Sequence, residues 1–500
     1  MHEASSTPAA APAPPAEPLS HGLKQRHLTM LGLGGVIGAG LFVGSGAGIA
    51  VAGPAIVVSY LIAGALAMLV MRMLGEMSAA MPASGSFSVH AERALGRWAG
   101  FSVGWLYWFL LVVVLAVEAT AAAQIAHGWV PGIEPWAWVL LFMVVFTAAN
   151  LTAVKNFGEF EFWFASLKVG AIVVFLVLGL LAVLGWLPDT DPVGMTNLTG
   201  QGGFLPNGWG GVVSGVLTVV FAFGGLEVVT IAAAETDDPA RAVGRAVRSA
   251  VVRILFFYVG SMLVIVTVLP WTAQQAGLSP YVKVLDAIGV PSAGQIMNIV
   301  VFVALLSALN ANLYGSSRMI FSLAERGEAP RGLLKVSGGG SKGGGASKNG
   351  GSDGSRERAG GVPRRAVLAS VAFGFVSVLL NLLWPDTVFL YMLNSVGAVL
   401  LFVWALIAAS QLRLRARLEQ EAPDALALRM WWFPYLTWVT LAGLFGVLLL
   451  MLTDDAARPQ VLWSGGATAL VLLVAVGRQR RERKGPRPGH EREGPAFTDR

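Results

Sequence analysis

The chain has 500 residues, of which 55% are hydrophobic and only 13% are charged, and its mean hydropathy is +0.66. These values exclude an ordinary soluble globular protein and indicate an all-α polytopic membrane protein. Cysteine is absent, which excludes disulfides, thiolate nucleophiles and cysteine-ligated metals.

Residues 1–25 are rich in Ala, Pro and Ser. No basic region followed by an apolar core opens the chain, so we expect a disordered cytoplasmic tail rather than a signal peptide. Twelve apolar stretches of about 20 residues follow, each long enough to cross a bilayer as a helix. They lie at 29–51, 54–74, 100–127, 136–154, 163–186, 211–233, 250–270, 294–321, 365–384, 387–411, 431–452 and 459–477.

The distribution of basic residues predicts the topology. With a cytoplasmic N-terminus, the outside loops hold only Lys283 and Arg458, and almost all other Lys and Arg lie in inside segments or at inside span ends. This asymmetry predicts a multi-pass protein of the inner (plasma) membrane with both termini in the cytoplasm. The excess of 35 Lys and Arg over 29 Asp and Glu therefore reflects topology, and no nucleic-acid partner is expected.

Glycines interrupt the first and the sixth predicted spans, at 34–42 and at 221–227. Lipid cannot satisfy freed backbone groups, so a helix opens at that depth only where it meets protein, water or a ligand. Corresponding breaks in two halves of a membrane protein indicate a transport site. Because the second break falls five spans after the first and five is odd, we expect two inverted repeats, 29–186 and 211–411, within a core at 26–411. The last two spans, within 430–478, lie outside the repeats.

The breaks suit a zwitterion. A half-helix that begins near Ala39 and Gly40 would aim its free N–H groups at an anion such as a carboxylate. The freed carbonyls of each break suit an ammonium group, and an amino acid presents both. The alternative is that the small residues only permit close helix packing. A phosphate site is not indicated, because neither break fits G-x-G-x-x-G and no Walker lysine follows.

Three of the charged residues inside predicted spans are candidates for chemistry. Lys168 is about 10 Å into the fifth span and is either a proton-coupling group or a snorkelling side chain. Glu118 and Glu227 could serve in a relay, contact a substrate amine, or form structural hydrogen bonds between helices. Glu159 and Glu161, at the start of the fifth span, are expected to be a solvated helix start.

Three features outside the spans carry no chemistry. The six histidines lie at loops, tails or span ends and none pairs at metal or triad spacing, so no metal site is expected. The segment 332–362 is rich in Gly, Ser and charge and predicts a flexible cytoplasmic loop, either regulatory or a tolerated insertion. Residues 479–500 predict a basic cytoplasmic C-terminal tail.

Several stretches together resemble the amino acid-polyamine-organocation permeases, and within them the bacterial amino acid transporters. The resemblance covers roughly residues 21–478. The stretches that carry it are 37–42, 82–87, 156–163, 221–227 running into 232–239, 312–314 with 317–319, and 361–363. Within the family, the stretches 107–119, 229–234 and 430–438 look most like gamma-aminobutyrate permeases.

The resemblance implies a LeuT-type fold of two five-helix inverted repeats plus two extra helices, with substrate between the first and sixth helices. It implies that the break residues bind substrate: Ile37, Gly38, Ala39 and Gly40 at the carboxylate, and Phe221, Ala222 and Gly224 at the amine and side chain. Phe221 would act as a gate. Lys168 matches the fifth-helix lysine that, in proton-coupled members, occupies the place sodium takes elsewhere.

The expected function is secondary active import of a small amino acid, with a proton, by alternating access. The expected partners are the amino acid and the lipid bilayer, and the proton gradient replaces any cofactor. An exchanger, a sodium-coupled carrier and a transporter-like nutrient sensor stay open as alternatives. A membrane-embedded enzyme is not indicated, because Glu118, Lys168 and Glu227 form no recognisable catalytic set.

Overall fold

The computed structural model describes residues 37–81, 86–152, 157–187, 195–227, 239–275, 277–334, 364–385, 387–453 and 458–484. Within these ranges the regular structure is entirely helical. The helices of the first half are α1 (Ala39–Phe42), α2 (Gly44–Ala52), α3 (Ile56–Ala80), α4 (Ser86–Leu95), α5 (Arg97–Trp129), α6 (Pro135–Thr152) and α7 (Phe157–Val183).

The second half begins with the short helix α8 (Thr196–Thr199) and continues with the longer ones. These are α9 (Gly208–Val220), α10 (Pro239–Val252), α11 (Gly260–Val268), α12 (Pro280–Ala287), α13 (Ala293–Glu325), α14 (Arg364–Gly374), α15 (Val376–Leu383), α16 (Val388–Glu421), α17 (Tyr435–Met451) and α18 (Arg458–Lys484). A π-helical turn, Arg253–Val259, joins α10 to α11.

A described helix lies in each of the twelve predicted apolar stretches. By length and composition, eight helices of the described chain are long and apolar enough to cross a membrane, and three shorter apolar helices accompany them. The first two predicted spans fall on one continuous unit, Gly44–Ala80, in which a turn at Gly53–Ala55 separates α2 from α3. The fold is therefore that of an all-helical polytopic membrane protein.

Helix α5 lies at the centre of the molecule and packs against α4, α6, α13, α16 and α18. Its many small residues, including a run of three alanines at 121–123, let neighbouring helices approach closely. Helices α7 and α18 are peripheral, since large apolar side chains such as Trp163 and Trp463 are 69% and 79% exposed. Exposed apolar surface of this kind suits a lipid environment.

A buried polar cluster joins α3, α16 and the segment 422–434. The Glu76 carboxylate accepts hydrogen bonds from Arg415 Nη1 at 2.7 Å and from Gln411 Nε2 at 2.9 Å. The amide of Met430 donates to the same carboxylate. The Thr437 hydroxyl of α17 donates to Gln411 Oε1 at 3.0 Å. These contacts hold the start of α17 against the core.

Several predicted segments lie outside the described residues: the N-terminal tail, residues 335–363 of the Gly/Ser-rich loop, and residues 485–500 of the C-terminal tail. The family-like stretches 82–85 and 228–238 do so as well. Helix α18 continues to Lys484, so the predicted boundary at 478 falls within a helix.

Candidate functional site

The first break leaves main-chain donors without an acceptor inside the helix. Helix α1 begins at Ala39, after Gly38 at φ −146° and ψ −142°. Its first intrahelical hydrogen bond runs from the Phe42 amide to the Gly38 carbonyl at 3.2 Å. The preceding amides of Ala39, Gly40 and Leu41 therefore have no acceptor within the helix.

One of these amides meets a carboxylate of the protein itself. The Ala39 N–H donates to both carboxyl oxygens of Glu118, each at 3.1 Å. Glu118 lies on α5 and is 3% exposed. The helix N-terminus at the first break therefore contacts a carboxyl group. Negative charge is what the N–H groups at a helix N-terminus favour.

The second break interrupts the sixth predicted span where its two glycines stand. Helix α9 ends at Val220, a 3₁₀ turn covers Phe221–Phe223, and Gly224 has ψ 142°. Gly225 has φ +92°, a conformation that favours glycine. The Ala222 carbonyl, left outside the helix, accepts a hydrogen bond from Tyr258 Oη at 2.8 Å.

The two breaks touch through main chain. A Cβ placed on Gly40 would lie 2.7 Å from Ala222 Cα and 2.9 Å from Phe221 Cδ1, closer than real Cβ atoms approach. A Cβ on Gly38 would overlap the carboxylate of Glu118. Glycine at both positions is therefore what allows the two breaks and Glu118 to meet.

The remaining predicted contact residues line the same region. Ile37 is fully buried and directly precedes Gly38. Phe221 is 7% exposed and faces Gly40. A Cβ on Gly224 would lie 3.4 Å from Leu400 of α16, so this helix covers the second break. The structure thus gathers the seven predicted break residues and Glu118 in one place.

Lys168 is fully buried and its Nζ lies 3.9 Å from Glu161 Oε1. Ser307 of α13 donates to Glu161 Oε2 at 3.2 Å. Glu161 is 2% exposed, so the expectation that it is solvated was wrong. It precedes Lys168 by two helical turns on the same face of α7. Lys168 also interacts electrostatically with Glu118, which connects this pair to the first break.

Glu227 is held by two hydrogen bonds. One carboxyl oxygen accepts the amide of Gly225 at 2.8 Å, and the other accepts Trp404 Nε1 of α16. The Gly225 bond is local to the second break, and the Trp404 bond fastens the break to α16. The Trp404 bond is of the kind that the sequence allowed as one interpretation of this acid, a structural hydrogen bond between helices.

Sequence reasoning missed Arg253 and Tyr258, which lie behind the second break. Arg253 donates to Tyr258 Oη from Nε at 3.1 Å and from Nη2 at 2.5 Å, and both side chains are fully buried. A charged residue near the start of the predicted span 250–270 was the available signal. Because Arg253 lies so near the start of that span, its position indicated a charged span end rather than a buried side chain bonded to Tyr258.

The model of a family described as amino acid permease matches residues 27–476. A gamma-aminobutyric acid permease from Bacillus subtilis is 48% identical over 451 residues, which cover 90% of this chain and 92% of that protein. The aromatic amino acid transport protein AroP from Corynebacterium glutamicum is 48% identical over 450 residues, covering 89% and 92%.

A further gamma-aminobutyric acid permease, from Escherichia coli, is 43% identical over 459 residues, covering 92% of this chain and 94% of that protein. Among solved structures, the crystal structure of a manganese transporter mutant from Eremococcus coleocola has a TM-score of 0.53 and 14% identity. That match covers 92% of this chain and 95% of the other, and it indicates a shared fold.

Proposed function

The chain belongs to the amino acid permease family, and from this premise we propose that it imports a small amino acid together with a proton by alternating access. As a member of that family it is an amino acid transporter and a multi-pass membrane protein, not an enzyme. The named substrate that we propose is gamma-aminobutyrate.

The finer architecture proposed is a LeuT-type core of two inverted five-helix repeats, followed by α17 and α18, with twelve spans and both termini in the cytoplasm. Breaks in the first and sixth predicted spans support it, because inverted repeats place such breaks in corresponding positions. The shared fold with a transporter of known structure is a second support. The distribution of Lys and Arg supports the orientation.

The contact between Gly40 and Ala222 carries the proposal for the site, because it brings the amides at the start of α1 beside the carbonyls of the second break. A substrate carboxylate would bind the amides of Ala39, Gly40 and Leu41. To use the Ala39 amide it must displace Glu118, which now accepts that hydrogen bond. The substrate ammonium would bind carbonyls of the second break, with Phe221 covering the site.

Lys168 is the proposed proton carrier. Its amine is fully buried 3.9 Å from Glu161 and interacts electrostatically with Glu118, which supports this role over snorkelling. Intramembrane charges of this kind mark proton and substrate pathways. When a substrate carboxylate takes the Ala39 amide, the released Glu118 stays within electrostatic range of Lys168. Substrate binding and the charge state of Lys168 would then be coupled through Glu118.

The choice of gamma-aminobutyrate rests on relatives from two bacteria that carry this name, at 48% and 43% identity. The second candidate substrate class is the aromatic amino acids, because the relative named for them is also 48% identical. Both classes share the carboxylate and ammonium groups that the breaks would bind. They differ in the part of the substrate that faces the side chains of the site.

The test is uptake of labelled amino acids into vesicles that contain the purified protein. With an inward proton gradient, we expect accumulation of gamma-aminobutyrate, and a sodium gradient alone should not drive it. Accumulation of an aromatic amino acid instead would select the second candidate. Exchange without net accumulation would indicate an exchanger, and binding without uptake would indicate a sensor.

The coupling proposal is tested by Lys168→Ala, with Lys283→Ala as the control. Lys283 lies on α12, outside the candidate spans, and donates to the Ala273 carbonyl at 2.9 Å. Lys168→Ala should lose proton-driven accumulation and keep exchange of bound substrate, and Lys283→Ala should resemble the wild type. Normal proton-driven accumulation by Lys168→Ala would exclude this carrier.

A further inference from the structure

A buried arginine and a buried tyrosine of one π-helical turn lie behind the second break. Arg253 and Tyr258 are the first and sixth residues of the turn that joins α10 to α11, and neither side chain is exposed. In a π-helix the main-chain hydrogen bond links residue i to residue i+5, so these two positions stack one above the other. In an α-helix the same two side chains would point to different faces.

The hydrogen bonds of this pair have a fixed direction. Arg253 donates two N–H groups to Tyr258 Oη, at 3.1 Å and 2.5 Å, and a guanidinium cannot accept. The tyrosine hydroxyl therefore accepts both and has its single proton left for the Ala222 carbonyl, 2.8 Å away. Donors polarised by a charged group in this way form stronger hydrogen bonds than neutral ones.

The carbonyl at the end of this chain belongs to the second break. Gly224 leaves helical geometry two residues later, at ψ 142°. A carbonyl oxygen can accept two hydrogen bonds, and Tyr258 supplies one of them. The Tyr258 ring is itself fixed, since Phe223 and Tyr60 pack on it with ring centroids 5.0 Å and 6.0 Å away. The orientation of this peptide group is thereby determined from behind the break.

We infer that Arg253 and Tyr258 are positioning residues, which hold the Ala222 carbonyl in the orientation that accepts a hydrogen bond from the ammonium group of the transported amino acid. Neither residue touches the substrate; Tyr258 acts on the carbonyl and Arg253 acts on Tyr258. That the group donating to the Ala222 carbonyl from the substrate is an ammonium rests on the proposed function. The fixed orientation of the carbonyl does not.

Tyr258→Phe is the decisive variant, because it removes the hydroxyl and keeps the ring that packs on Phe223. Tyr60→Phe is its matched control: Tyr60 belongs to the same buried ring cluster, and within the described residues its hydroxyl has no hydrogen-bond partner. Arg253→Lys keeps the positive charge but replaces the planar two-pronged donor with a single ammonium.

The first measurement is amide hydrogen exchange over residues 217–227, without substrate. Tyr258→Phe should raise the exchange rate several-fold, Arg253→Lys should raise it by a smaller factor, and Tyr60→Phe should leave it at the wild-type value. Unchanged exchange in Tyr258→Phe, or an equal rise in Tyr60→Phe, would overturn the positioning role.

The second measurement is the kinetics of amino acid uptake. Tyr258→Phe should raise KM about tenfold, as expected for one misplaced hydrogen bond, with Vmax within about twofold of wild type. A lower Vmax at unchanged KM would overturn the ammonium assignment. If the wild type transports no amino acid, the proposed function fails and the ammonium assignment with it, whereas the exchange experiment still decides the positioning role.

Discussion

Lys168 and Glu161 lie two turns apart on one face of α7 with 3.9 Å between amine and carboxyl oxygen, and both are buried. Breaking a buried ion pair by removing one partner costs about 3–5 kcal/mol, because the other charge is left uncompensated. We expect Glu161→Gln to lower the unfolding temperature of the purified protein markedly. Glu159→Gln, on the exposed side of the same turn, should shift the free energy of unfolding by no more than about 0.5 kcal/mol. Equal shifts for the two variants would argue against a paired Lys168.

The contact between the breaks predicts that Gly40 accepts no side chain. Gly40→Ala places a Cβ against Ala222 Cα, so the two broken segments must separate and uptake should fall to background. Gly170→Ala is the control, because Gly170 lies on α7 with nothing within 4 Å of its added Cβ. Uptake should be measured at equal amounts of protein in the membrane. Wild-type uptake by Gly40→Ala would contradict the site.

Arg415 offers a comparison of two ion pairs on one side chain. Its bond to Glu76 is buried, whereas its bond to Glu419 at 2.8 Å involves a carboxylate that is 46% exposed. We expect Glu76→Gln to destabilise the fold by about 3–5 kcal/mol. Glu419→Gln should cost less than about 1 kcal/mol. Denaturant unfolding in detergent measures both, and a larger effect at Glu419 would refute this ranking.

His90, on α4 outside the candidate spans, predicts acid sensitivity of stability. Burial, with a smaller contribution from nearby Arg93, lowers the pKa of His90 from 6.5 to about 4. Because the unfolded chain binds this proton first, the contribution of His90 is complete above pH 6.5 and is lost as the pH falls towards 4. Between pH 7.5 and pH 5.5 the loss should be about 1 kcal/mol.

His90→Gln should remove that part of the pH dependence. The measurement is the unfolding temperature of wild type and variant at both pH values. An identical decrease on acidification in the two proteins would show that His90 is not buried in its neutral form.

The sequence predicted the helical segments and the two breaks because both signals are local. A run of apolar residues marks a span, and paired glycines such as Gly224 and Gly225 mark where a helix opens. The contact of Glu118 with Ala39 is not local, since it depends on how α5 packs beside the first break. From sequence, Glu118 could only be identified as a charge at membrane depth.

Three further residues show why the site predicted from sequence was incomplete. Glu161 was assigned to solvent by its place near a helix start, although a spacing of seven residues from Lys168 puts the two on one face. Arg253 and Tyr258 meet only because the helix adopts a π turn between them. In an α-helix, two residues five apart lie on different faces, so their spacing gave no reason to pair them. Local sequence patterns therefore locate the two breaks, but they do not identify the buried side chains that pack around them.

The cluster around Glu76 constrains how the helices can move. One carboxylate is bonded at the same time to α16 through Arg415 and Gln411 and to the chain before α17 through Met430. If the last turn of α3 slid away from α16, the buried Glu76 carboxylate would lose the partners that compensate its charge. Relative rotation of these helices would then have its fulcrum at Glu76, with the largest displacement at their opposite ends.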